Sequence, residues 1–263
     1  MGSVGKTSIN TTTMSSAPVP VITPVNQGQD VQNQTPNAQN TPVTPNALQA
    51  LQNMSDSQLA ALVMASKNAQ LPNFLNDVAD QTQRFVFQAG LNEKPMVLDS
   101  TSFNQFMQDN GISQGEILSR SVNPVQYTNQ DNTKISLSGQ QIIQIMQDSR
   151  FNYIGGKRGG QVYGAGTYFD MNGGRNTGYG GTTVNAVLNP ATTRAIDEST
   201  LYKQAATWAQ SHPQSARAIG RINNSNQSIY ALAMGYNVIT EYDPKYKSGY
   251  HNVIDRSALV YKK

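Results

Sequence analysis

The chain of 263 residues contains no cysteine. That excludes disulfides, thiolate nucleophiles and zinc–thiolate sites. Only two histidines, His212 and His251, are present, so no multi-histidine metal centre can form and no metal site is expected. Charge is scarce as well: 13% of residues are Asp, Glu, Lys or Arg, against about 25% in an ordinary domain. The net charge of +3 is too thin for a nucleic-acid scaffold, and Lys203, Lys245, Lys247, Lys262 and Lys263 are dispersed rather than clustered. Aromatic residues are not interleaved with basic ones, so nucleic acid is not an expected partner. No apolar run approaches the ~18 residues of a membrane span, and no signal-peptide core lies near the start, so a membrane is not expected either. Gly5-Lys6-Thr7 has the close of a phosphate loop without its upstream glycine or its preceding strand.

Asn, Gln, Ser and Thr fill the place of the missing charge. A surface of that kind suits a protein packed against partners. Residues 1–45 are of low complexity, with Lys6 and Asp30 the only charges and prolines at 18, 20, 24, 36, 42 and 45. Proline removes donors and favours extended backbone, and such a segment cannot bury a core of its own. It reads either as a linker or as an extended arm that orders against neighbouring subunits.

Residues 46–95 read as a helical cap. Asn46 is placed to cap a helix carrying Leu48 and Leu51, Ser55 with Gln58 fits a capping box, and a further helix is expected over 73–88. From residue 96 the pattern changes. Short strands are expected at Met96–Leu98, Glu116–Val122 (ended by Asn123-Pro124), Val162–Phe169 and Thr182–Leu188 (ended by Asn189-Pro190). Others follow at Tyr236–Ile239, Asn252–Ile254 and Ala258–Tyr261, with Glu241 and Asp243 in a loop. Helices are expected after Ser100 or Thr101, after Ser138 and after Ser199, and over most of 215–234. Helices first and several short strands later predict an α+β fold.

The stretch from Tyr153 to Phe169 holds six glycines in seventeen residues before an aromatic, strand-prone run. Glycine at that density costs backbone entropy and is kept where a chain turns sharply or lies against a ligand. Lys157 and Arg158 within it read as contacts to phosphate or as solvated loop charges.

Five segments follow one another along the chain: Leu118-Ser-Arg120-Ser-Val122, Tyr163-Gly-Ala-Gly-Thr-Tyr-Phe169, Ala186-Val-Leu-Asn-Pro190, Ala231-Leu-Ala-Met-Gly-Tyr236 and Asp255-Arg-Ser-Ala-Leu-Val260. Together they make residues 96–263 resemble the ADP-ribosyltransferase superfamily, in particular its degenerate members encoded by bacteriophages and prophages. The resemblance implies a split β-sheet core and a cleft that holds NAD folded while nicotinamide leaves. Arg120, at a strand end, would take the pyrophosphate in a bidentate grip; its alternative is a surface arginine paired with a carboxylate. Gly164 and Gly166 would let backbone approach the nicotinamide amide, and Thr167 would buttress the cleft. Tyr163 and Tyr168 would stack on the ring, or else pack in the core on alternate faces. Arg120 and the two tyrosines are thereby expected to wall one pocket.

The departing ribose gains oxocarbenium character, which a glutamate in the family stabilises. Here Gly249-Tyr250-His251-Asn252 precedes the matching strand and no glutamate stands at that point. Glu241 is the candidate substitute, and His251 occupies the matching position. The resemblance therefore implies a phage virion-associated protein with a structural or cargo role and with catalysis weakened or lost. It would reside in a virion or the host cytoplasm and meet other virion proteins through residues 1–45. The alternative is an active mono-ADP-ribosyltransferase that modifies a host protein.

Overall fold

A computed structural model describes residues 47–69, 81–91, 94–128, 134–146, 166–170, 181–243 and 248–263. All of them belong to one compact unit, 43–263. The fold is α+β: a mixed sheet of eight strands, a two-stranded hairpin, and helices.

Helices α1 (Ala47–Gln52), α2 (Asp56–Ser66) and α3 (Gln81–Gln88) come first. The start of α2 is set by the expected box: Gln58 N donates to Ser55 Oγ at 3.3 Å, and Ser55 N donates to Gln58 Oε1 at 2.9 Å. These helices bury Leu48, Leu51, Leu59, Val63, Phe85 and Val86 in one cluster with residues of α6 (Glu198–Ser211), α7 (Pro213–Ile219) and α8 (Gln227–Ala233). Two strands join the same cluster through Ile196 of β7 (Ala195–Asp197) and Ile239 of β8 (Val238–Asp243). Asp56 ties this layer together, since its carboxylate accepts from Gln214 N at 2.9 Å and Ser215 N at 2.8 Å, at the start of α7.

The remaining sheet strands are β1 (Met96–Leu98), β2 (Leu118–Val122), β5 (Thr167–Asp170), β6 (Thr182–Leu188), β9 (Ser248–Val253) and β10 (Leu259–Lys262). The strand order is β1-β10-β6-β2-β5-β9-β8-β7. Helix α4 (Ser100–Asp109) covers the β10–β6 end, where Phe103 and Met107 pack on Val187 and Val260. The hairpin β3 (Val125–Thr128) and β4 (Lys134–Leu137) leads into α5 (Gly139–Met146). Leu137 and Ile143 pack on the opposite side of the sheet, against a core of Leu118, Val122, Phe169, Val184, Ala186, Val253, Leu259 and Tyr261. The sheet thus has a helical face, covered by α1–α4 and α6–α8, and a hairpin face, covered in part by β4 and α5.

The eight strands form one continuous sheet with a seam between β2 and β5. β2 and β6 are paired over five residues, from Leu118↔Ala186 to Val122↔Thr182, and β5 and β9 over four. Between β2 and β5 a single pair, Ser119↔Asp170, is in register. The sheet is therefore two four-stranded halves, β1-β10-β6-β2 and β5-β9-β8-β7, that meet along one short join.

Three expectations need correcting. Glu241 lies within β8, opposite Tyr250, and not in a loop. The strand expected from Glu116 begins at Leu118, after a 3-10 turn over Gln114–Glu116. The β3–β4 hairpin and β7 were not expected at all. The arm, Asn46, the first half of the helix over 73–88, and Val162–Ala165 lie outside the described residues.

Candidate functional site

Alternation along a strand and direct pairing across it decide which side chains share a face. On β2, Leu118 and Val122 are buried on the hairpin face, so Arg120 between them projects there too. Arg120 pairs with Val184 of that core. On β5, Phe169 belongs to the same core, and Thr167 lies two residues before it. On β9, His251 pairs with Phe169, while Thr167 pairs with Val253. Arg120, Thr167 and His251 thus come from β2, β5 and β9, three strands adjacent in the sheet, and share one face.

Tyr261 of β10 completes the group. Its ring centroid lies 6.3 Å from that of Phe169, and it pairs with Ala186 of the hairpin-face core. Burial pushes the Tyr261 phenol up to about 12, opposed by the positive fields of Arg256 and Arg120. Sequence reasoning missed this residue, because Ala258-Leu-Val-Tyr261 reads as an apolar closing strand.

Three polar atoms in this group are buried without a hydrogen-bond partner among the described residues: Thr167 Oγ1, His251 Nδ1 and Tyr261 OH. Buried polar groups are nearly always paired, because leaving one unmet costs about 1–3 kcal/mol. Three of them on one face beside a guanidinium form a constellation that a polar ligand would complete. Burial also lowers the His251 imidazole, since a charge there loses its hydration. The group therefore offers one permanent cation and three neutral polar atoms.

Tyr168 and Glu241 stand elsewhere. Tyr168 pairs with Asn252, and Glu241 with Tyr250, on the helical face. Together with Glu198, Gln227 and Ile239 these four line a cavity of about 10 Å³, room for one water. Arg120 reaches Tyr168 only through the backbone: its Nη1 donates to the Tyr168 carbonyl at 3.4 Å across the seam. The expectation that Arg120 and the Tyr168 ring share a wall is corrected accordingly. Asp170 is likewise on the helical face, opposite Ser119, whose hydroxyl donates to Asn185 Oδ1 at 2.9 Å.

Gly166 has a structural duty. A Cβ built there would collide with the Asn252 side chain. Tyr163, Gly164, Lys157 and Arg158 lie outside the described residues.

Another open cleft, of about 650 Å³, lies at the ends of α1, α6 and α8 and is lined by Gln52, Lys203, Trp208, His212, Met234 and Tyr236 among others. Trp208 and His212 are stacked there with centroids 4.4 Å apart. No group of three or more His, Cys, Asp or Glu among the described residues is arranged to hold a metal, and none of their helices is long and apolar enough to cross a membrane. The chain matches no known family model, no curated protein and no solved structure.

Proposed function

We propose that this chain is an ADP-ribosyltransferase-like protein of a phage virion, with a structural or cargo role, that retains an NAD-binding face and has weakened or lost the transfer reaction. The observation that carries the proposal is the division between the two faces of the sheet. Arg120, Thr167 and His251 share the hairpin face on adjacent strands, whereas Glu241, the candidate catalytic carboxylate, projects from the other.

The residues present fit a dinucleotide. The Arg120 guanidinium suits a pyrophosphate, which it can grip with two parallel donors. The unmet hydroxyls of Thr167 and Tyr261 suit ribose and carboxamide oxygens. Among the described residues, the strands β2, β5 and β9 place no carboxylate on this face to stabilise the ribose as the glycosidic bond breaks. His251 can hydrogen-bond a ribose hydroxyl, but a neutral imidazole does not stabilise a cation as a carboxylate does. Removing one preorganised electrostatic group costs about 10²–10³ in rate. The virion role rests on the low charge of the chain and on the Pro/Asn/Gln/Thr-rich segment 1–45, which suits ordering against other virion proteins.

The decisive experiment offers isotopically labelled NAD to the purified chain. Binding by calorimetry that is lost in Arg120→Ala, with nicotinamide release at or below 1% of that of an active transferase, is the expected result. No binding at millimolar NAD removes the proposal. Rapid nicotinamide release with label on a host protein replaces it with the active-enzyme reading. Protease cleavage of residues 1–45 in the free chain, with protection in assembled particles, supports the virion role.

A further inference from the structure

We propose that the open cleft at the ends of α1, α6 and α8 is a second binding site, for a small molecule that joins a planar ring to one negatively charged group. The cleft lies in the helical layer and shares no residue with the hairpin face. Its volume of about 650 Å³ is that of a small-molecule pocket.

The wall is apolar and held in place. His212, at the end of α6, stacks on Trp208 with planes 6° from parallel, and the Tyr230 ring meets the indole nearly at right angles with centroids 5.6 Å apart. Met234 and Tyr236 add two half-buried side chains, and the Tyr236 hydroxyl donates to Gln204 Oε1 at 3.4 Å. Gly235 between them, at φ +89°, leaves room for the Gln52 side chain, which a Cβ there would strike. A preorganised aromatic wall of this kind suits a flat ring.

The polar groups of the cleft are open. Trp208 Nε1, the Thr207 hydroxyl, the Gln52 carboxamide and the Lys203 ammonium make no hydrogen bond or ion pair among the described residues. The indole N–H and the ammonium can only donate, and Lys203 is the one charged side chain in the lining. The neighbouring carboxylates lie beyond its two ends. Asp197 caps the start of α6, and Glu198 and Glu241 line the small cavity there. Along α6, Glu198 is about 7.5 Å from Lys203 and turned about 140° around the axis, and about 15 Å from Trp208. At the other end Asp56 accepts from Gln214 N and Ser215 N, and its field reaches His212. His212 lies about 13 Å along the axis from Lys203. Asp56 thus repels an anion from the His212 end, and the negative group of a ligand is directed to Lys203.

Trp208 is the only tryptophan of the chain, so its emission reads this cleft alone. The test titrates the full chain with three ligands that share one ring and differ in charge: naphthalene-2-sulfonate, the neutral naphthalene-2-sulfonamide and the cationic 2-naphthylmethylamine. The sulfonate is expected to move the Trp208 emission saturably and to bind about threefold or more tightly than the sulfonamide, the margin of an ion pair at an exposed lysine, with the amine weakest. Lys203→Gln leaves the aromatic wall untouched and should bring sulfonate and sulfonamide level. Emission that does not move at millimolar sulfonate overturns the site. Calorimetric binding that leaves Trp208 silent does so too, because the ligand is then held elsewhere. An amine that binds as tightly as the sulfonate overturns the preference for an anion, and a preference that survives in Lys203→Gln overturns the role of Lys203. Maltose binding more tightly than the sulfonate replaces the ring-and-anion ligand with a saccharide.

Discussion

The guanidinium of Arg120 donates to the backbone carbonyl of Tyr168 at 3.4 Å, across the one place where the sheet is barely joined. The bond is long, and a bond of that length contributes little. It acts as a weak latch between the two halves of the sheet. Arg120→Ala is therefore expected to cost no more than about 1 kcal/mol in denaturant unfolding. On the proposed reading the same change removes the group that grips the pyrophosphate, so dinucleotide affinity should fall by about tenfold or more in calorimetry. Stability loss above 3 kcal/mol with unchanged affinity would make Arg120 a structural residue and not a ligand-binding one.

Thr167 offers a sharper separation of fold from function. Its hydroxyl is buried and has no partner among the described residues. Thr167→Val keeps the shape and removes the unmet group. The empty protein should gain up to about 1–3 kcal/mol, read from thermal or denaturant melts. Ligand affinity should fall if, as proposed, the hydroxyl meets a ligand oxygen. Tyr261→Phe should behave in the same way. A Thr167→Val protein less stable than the parent would mean that the hydroxyl is already satisfied, and the constellation would lose a member.

Much of the fold was legible. Ser55 with Gln58 marks the start of α2, and Ser138 marks that of α5; there the structure adds a partner the sequence reading did not name, since Gln141 N donates to Ser138 Oγ at 3.3 Å and Ser138 N to Gln141 Oε1 at 2.8 Å. Asn-Pro pairs follow β2 and β6, since proline has no donor for the ladder. The β3–β4 hairpin was missed, though Val125-Gln-Tyr-Thr128 and Lys134-Ile-Ser-Leu137 both alternate apolar and polar residues at the strand period. β7 is three residues long, too short to carry a period.

The division of the site was harder to see, for a physical reason. One residue of register moves every side chain of a strand to the other face. Thr167-Tyr-Phe-Asp170 alternates without an apolar side that a reader could trust, so nothing local assigns Tyr168 to one face. Phe169 joins the core only because β5 pairs with β9. Glu241 reads as a loop residue because Thr240, Glu241 and Asp243 resemble a strand's end, whereas pairing with β9 extends the strand to Asp243.

Gly166 tests whether the glycines before β5 serve the backbone or a ligand. Gly166→Ala drives a methyl group into the Asn252 side chain. Overpacking of this kind costs about 1–3 kcal/mol. Asn252→Ala makes room, so the double variant should be more stable than the sum of the two single changes by at least about 0.5 kcal/mol. Chemical denaturation of the four proteins in the cycle measures that coupling. Strict additivity would place the Asn252 carboxamide away from Gly166.

His251 gives the fold a pH signature whose sign can be stated. Burial lowers its imidazole below the ordinary histidine value of 6.5. The unfolded chain therefore takes up a proton at a higher pH than the native chain does. Between 6.5 and the lowered native value the unfolded state holds more protons, so stability falls as pH falls through that window and is fully present above it. His251→Gln removes the titrating group and should flatten the slope of unfolding free energy between pH 7 and pH 5 relative to the parent. Proton NMR assigns the effect independently: the His251 ring signals should titrate below 6.5. Ring signals titrating above that value would mean that an anion stabilises the charged imidazole on the Arg120 face, which would count against the proposal that transfer is weakened for want of a carboxylate there.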